Sequence, residues 1–197
     1  MTNTISIRPG DTIENPVTGE VVHFLRTSAE TDGELVEIEC TVRPGGGVAA
    51  AHVHPYQSER FEVIEGTFEF RHGRSKATVT AGDVVTVEAG TVHSFRNVGD
   101  EPATFACQVR PALQFEQFLV TMFGLAADGK TNRKGMPNPL RLAVIANAHF
   151  DDLRMPRVPA FAQKAALAMG AAFGRLAGYQ PTYEPVGKLE PAFSTAA

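Results

Sequence analysis

"HVHPYQSERFEVIEG", residues 52–66, is the stretch whose reading decides the fold. Two histidines stand two apart, a glutamate follows five positions after the second, and apolar and charged residues then alternate up to a glycine. On a helix, residues two apart point to nearly opposite sides. On an extended strand they line one face, roughly 6.5 Å apart along the backbone. Phe61 and Val63 share one face of the alternating part, and Glu59 has the same parity, so it reads as inward-facing.

The same period of two continues on both sides. In "ELVEIECTV" (34–42), Val36, Ile38, Cys40 and Val42 share a face. "TFEFR" (67–71) does this with Phe68 and Phe70, and "ATFACQVRP" (103–111) with Phe105, Cys107 and Val109. "DVVTVEAG" (83–90) and "HSFRNVG" (93–99) follow the pattern, and His93 has the parity of Phe95. Glycine- and proline-containing turns separate these runs, at Pro44–Gly47, Glu65-Gly66, His72-Gly73, Ala81–Asp83 and Gly99-Asp100. Short alternating strands with turns every 8–12 residues or so predict an all-β sandwich or barrel.

After Pro111 the period changes to that of a helix. Phe115, Phe118, Leu119, Met122 and Phe123 fall at helical intervals in residues 112–126. A second helix is predicted from Asn138 as cap and Pro139 at the first helical position. A third, alanine-rich helix spans 158–179 with Phe161, Leu167 and Phe173, and "DGKTNRKGMPNP" (128–139) reads as a polar loop. The chain thus divides into a β-barrel with N-terminal strands (1–111) and a helical extension (112–197) that packs on the barrel or at a dimer interface.

Composition narrows the function classes. The 197 residues are 43% hydrophobic and 20% charged, which suits a globular chain with a real core. A net charge of -4 with dispersed Lys and Arg gives no nucleic-acid footprint. Cys40 and Cys107 are too few for a disulfide framework and read as reduced and buried. The N-terminus does not read as a signal peptide, and the apolar tract 165–174 is too short for a bilayer. These features predict a cytoplasmic protein without membrane association.

His52, His54, Glu59 and His93 form the candidate site. A His-x-His arises by chance, Glu59 alone is an ordinary turn residue, and His93 alone is an ordinary hydrogen-bonded histidine. Together, their shared strand parity aims four donors at one volume inside the barrel. Imidazole and carboxylate ligation suits one divalent transition metal ion: Fe, Mn, Ni, Cu, Co or Zn. The remaining histidines, His23, His72 and His149, read as structural.

These residues resemble the cupins. Gly46, His52, His54, Glu59 and Gly66 match the first cupin motif, G(X)5HXH(X)3-4E(X)6G, at every spacing. Gly82, Gly90, His93 and Asn97 match the second, G(X)5PXG(X)2H(X)3N, with Glu88 where the motif has proline. The resemblance implies a mainly β fold, the cupin double-stranded β-helix or jelly-roll barrel, over roughly 30–111. It also implies one divalent metal ion and, commonly, a homodimer. It leaves the C-terminal α-helical extension and the substrate open.

Phe61, Phe68, Phe70, Phe95, Val36, Ile38, Cys40 and Val109 are expected to fill the barrel or wall a cavity, which favours a hydrophobic or aromatic small molecule over a sugar. Tyr56 and Gln57 are turn residues near the ligands. The leading reading is a dioxygenase of quercetinase-like type, with Glu59 as ligand and catalytic base. A non-redox cyclase or isomerase using the metal as Lewis acid is the alternative, followed by a non-catalytic small-molecule binding protein.

Overall fold

The computed structural model describes residues 6–48 and 50–184, together with the backbone of 190–191. The rest of the extension, 185–189 and 192–197, lies outside the described residues, as do residues 1–5.

Among the described residues, ten strands and three helices follow one another. The strands are β1 (Asp11–Asn15), β2 (Glu20–Arg26), β3 (Val36–Val42), β4 (Ser58–Glu65), β5 (Thr67–His72), β6 (Ser75–Thr80), β7 (Val84–Val87), β8 (His93–Asn97), β9 (Ala103–Arg110) and the two-residue β10 (Glu190–Pro191). The helices are α1 (Phe115–Ala127), α2 (Pro139–Ala148) and α3 (Ala160–Leu176). All strand pairs are antiparallel. One sheet has the order β10-β1-β2-β3-β9-β4-β7 and the other β6-β5-β8. The extension is therefore not wholly helical, because β10 adds an edge pair to β1.

Strand alternation explains the core. In β3 and β9 every second side chain is buried, and the register places Val36 opposite Val109, Ile38 opposite Cys107 and Cys40 opposite Phe105. Phe61, Phe68, Phe70, Phe95 and Phe105 meet edge-to-face or tilted, with ring centroids 4.9–6.5 Å apart. Such pairings favour fixed geometry beyond plain area burial. Both cysteines are free and buried, as expected.

The motif glycines sit where a side chain is costly. Gly66 turns β4 into β5 at φ +82°, and a Cβ there would lie 2.4 Å from that of Ala103. Gly90, at φ +80°, occupies the third position of a turn closed by Thr91 N–H donating to the Glu88 carbonyl. That turn forms without the motif's proline, since the left-handed residue is the glycine.

Helix α2 begins where local chemistry predicts, whereas α1 and α3 start two to three residues later than expected, at Phe115 and Ala160, without a side-chain cap. Asn138 Oδ1 accepts from the Leu140 N–H, and Pro139 opens α2. The α1 helix packs against β1 and the barrel core through Phe115, Val120 and Phe123, and α2 packs against α3. Gln57, a turn residue by sequence, is buried and donates to the carbonyls of Pro111 and Ala112, which ties the barrel to the start of the extension. Tyr56 is exposed and carries the Arg154 guanidinium over its ring.

Candidate metal centre

The four predicted residues converge. One donor atom from each of His52, His54, Glu59 and His93 lies within 4.8 Å of all the others, and all four residues are buried. Glu59 sits near the start of β4 opposite Val109, and His93 opens β8. His52 and His54 differ from expectation in one respect: their segment is not a regular strand but an extended stretch held by isolated bridges, His52 to His93 and Val53 to Arg154. Pro55 ends it after one residue beyond the bridges, so no longer ladder forms. The extended geometry still sends both rings to the same side.

Hydrogen bonds determine which nitrogen of each ring faces inward. His52 Nδ1 lies 3.0 Å from the Ala50 carbonyl, His54 Nδ1 2.5 Å from the Asp152 carbonyl, and His93 Nδ1 3.1 Å from the Thr91 carbonyl. A carbonyl oxygen only accepts, so each Nδ1 carries the proton. Each neutral ring then presents a bare Nε2 lone pair to the centre.

The centre is crowded with acceptors. His52 Nε2 is 3.1 Å from His54 Nε2. Glu59 Oε2 is 2.7 Å from His93 Nε2 and 3.6 Å from His54 Nε2, yet this buried oxygen accepts no well-aligned hydrogen bond. Around one ion at 2.0–2.1 Å, neighbouring ligands are separated by about 3.0–3.4 Å. The observed spacings bracket that range, and lone pairs that miss one another point to a shared centre. The residues present fit a divalent metal ion.

Electrostatics agrees with a cluster built to remain unprotonated apart from one group. Burial, reinforced by His93 and His54, pushes His52 down to about 3. For Glu59, burial acts upward, but the histidines around it outweigh burial and hold the carboxyl at about 2. Burial acts downward on His93, and the adjacent Glu59 carboxylate outweighs it, so His93 is raised.

Beside the cluster lies a cavity of about 90 Å³. Of the residues expected to fill the barrel or wall a cavity, Phe61, Phe95, Ile38 and Cys40 line it. Val36, Phe68, Phe70 and Val109 instead pack in the core. The helical extension supplies a further wall through Phe115, Phe118, Leu119, Phe123 and Leu153.

Two contributors were missed by sequence reasoning. Glu20 lines the cavity from β2, is buried, and has no cationic partner among the described residues. Burial raises its pKa, partly offset by Thr18 beside it. Its parity with Val22 and Phe24 in "EVVHF" (20–24) was the available signal. Asp152 supplies the carbonyl for His54 from 98 residues away, a pairing with no local signature. His23 bonds Thr12 and His72 lies on the exposed surface, both outside the cluster, whereas His149 pairs with Asp152 just behind it.

Comparison with known proteins agrees with this site. Residues 38–109, which include all four donors, match the family described as Cupin domain. Quercetin 2,3-dioxygenase of Bacillus subtilis (strain 168) is 30% identical over 81 residues, 41% of this chain and 24% of that relative. The match therefore spans about a quarter of the relative's length. Among solved structures, KdgF from Halomonas sp. is similar at 16% identity and a TM-score of 0.47, over 54% of this chain and 92% of that one. An RmlC-like cupin from Shewanella frigidimarina NCIMB 400 is similar at 21% identity and a TM-score of 0.47, over 58% of this chain and 96% of that one. Both histidine motifs lie inside the matched segment, so the cupin likeness of residues 38–109 includes the whole donor set.

Proposed function

We propose that this cupin is a metal-dependent enzyme holding one divalent transition ion through His52, His54, Glu59 and His93, and that it acts as a dioxygenase on a small hydrophobic molecule in the adjacent cavity. One observation carries the metal reading: three Nδ1-protonated imidazoles turn bare Nε2 atoms toward a buried carboxylate oxygen that lacks an aligned donor. A single proton satisfies one of these acceptors, whereas a central divalent ion satisfies all four. When bound, such an ion supplies Lewis acidity and, if redox-active, one-electron chemistry. The chain's residues then orient and exclude: the aromatic walls keep water from the substrate, and Glu59 is the base that takes a proton from a substrate hydroxyl or enol.

The relative named Quercetin 2,3-dioxygenase supports the oxygenase reading. The cavity narrows the substrate, because about 90 Å³ is below the roughly 150 Å³ that accommodates benzene in an engineered protein cavity. A whole flavonol exceeds it, so the substrate is smaller or enters by one end. Glu20 favours a second reading, a non-redox cyclase or isomerase. A buried carboxyl with a raised pKa in the same cavity can donate as well as accept a proton. We further propose a homodimer in which α3 takes part, supported by its exposed Phe161, Met169, Phe173 and Leu176.

The test is metal content and oxygen uptake across catechols, hydroquinones, flavonols and β-diketones. His52→Ala is expected to lose metal and activity, while Glu59→Gln keeps a substantial share of metal and loses most turnover. Full metal in His52→Ala sinks the metal reading. Unchanged product formation without oxygen moves the chemistry to the non-redox class. Uptake also depends on pH. A proton on His93 competes with the ion, so metal affinity strengthens as pH rises through the raised His93 value, above the ordinary 6.5.

A further inference from the structure

The connection between α2 and α3 reaches the metal cluster, and we infer that its Asp152 turn is the outer shell of the site, through which the helical extension sets how tightly the ion is held. The inference rests on the metal reading above.

His52 and His93 each use a carbonyl two residues earlier in their own segment, Ala50 and Thr91. His54 departs from this pattern: the carbonyl two residues before it, that of His52, accepts from the His93 N–H and not from the His54 ring. It takes the Asp152 carbonyl instead. One ligand of three therefore owes its tautomer and aim to the extension. Outer-shell partners of this kind fix the ring of a metal-bound histidine and raise its basicity.

The turn is itself held rigidly. Asp152 is 3% exposed; its Oδ1 accepts from the Gln114 N–H just before α1, and its Oδ2 lies 3.3 Å from His149 Nδ1. The N–H groups of Asp152 and Leu153 both donate to the His149 carbonyl, and His149 packs edge-on against Phe118 of α1. Two residues on, Arg154 and Val53 exchange both backbone hydrogen bonds, at 2.9 and 3.0 Å, so the extension also pairs with the ligand segment as a strand does. The Asp152 carboxylate faces Gln114 and His149 and is not one of the four converging donors. It is a positioning residue that links α1, α2 and His54. Because the turn is part of the folded site, ion binding and docking of the turn must reinforce each other by the same free energy.

The test uses the full chain and Co²⁺, whose visible spectrum reports ligand geometry. Asp152→Ala is expected to weaken Co²⁺ binding by about 10–100-fold and alter the spectrum. Asp152→Asn keeps an oxygen for the Gln114 N–H and recovers most of the affinity. Arg133→Ala, exposed in the loop before α2, leaves affinity unchanged. In the unmodified protein, Co²⁺ is expected to slow amide exchange at residues 152–154, a measurement that stands even if Asp152→Ala does not fold. Wild-type affinity and spectrum in Asp152→Ala, or exchange at 152–154 indifferent to Co²⁺, would overturn the inference alone. Failure of the unmodified protein to take up Co²⁺ overturns the metal reading and this inference with it.

Discussion

Helices α1 and α3 both belong to the extension and both carry apolar side chains at helical spacing, yet they meet different surroundings. On α1, Phe115, Val120, Phe123 and Leu125 are buried, and the helix walls the cavity next to the candidate metal centre. On α3, Phe161 is 79% exposed and Leu176 86%, while the buried residues are Ala171 and Gly174. The small residues explain this. A Cβ on Gly174 would lie 2.5 Å from Val144 Cγ2 and 2.6 Å from the Leu140 carbonyl, so α3 approaches α2 too closely for bulk. An apolar stripe states that a helix needs cover; it does not say which face its neighbours will take.

The strongest way to break the contrast is to remove all three helices. A chain ending at Pro111 strips the α1 wall from the barrel and the Asp152 carbonyl from His54. It is expected to aggregate or to lose metal uptake altogether. A soluble fragment with full Co²⁺ uptake, measured by gel filtration and metal analysis, would show that the extension is dispensable.

A narrower test replaces one ring on α1. Phe123→Ala empties a buried position on the barrel and should cost about 3–5 kcal/mol in denaturant unfolding, the range for a buried phenylalanine. A loss below about 1 kcal/mol would mean that α1 packs no better than α3.

The smallest effect is expected at the matching position of α3. Phe173→Ala removes a ring that is 59% exposed and should change monomer stability by no more than about 0.5 kcal/mol. If α3 forms the proposed dimer face, Phe173→Asp halves the mass found by light scattering at micromolar concentration while leaving metal uptake intact. An unchanged mass for a dimeric parent would remove Phe173 from the interface.

Much of the barrel was legible because strand alternation is a local rule. Val36 to Val42 and Ala103 to Val109 announce their buried faces residue by residue, and the structure pairs those faces opposite one another. The four candidate ligands were legible for the same reason, since Glu59 and His93 share parity with Phe61 and Phe95. The bridged rather than laddered state of 52–54 was not, because it depends on which segments flank it. The fate of Gln57 was hidden too. A turn glutamine reads as solvated until the chain brings Pro111 and Ala112 over it.

Spacing alone determined the candidate donor set and the change from strand to helix near Pro111, because side-chain direction within one element follows from backbone period. Only the tertiary structure decided how the site is finished. Glu20 enters the cavity because β2 pairs with β3, and the α1 stripe becomes a wall because the helix packs against β1 and the barrel core. His54 aims inward because Asp152, 98 residues later, places a carbonyl behind it. Contacts at such separations arise from packing of whole elements, and no local period encodes them.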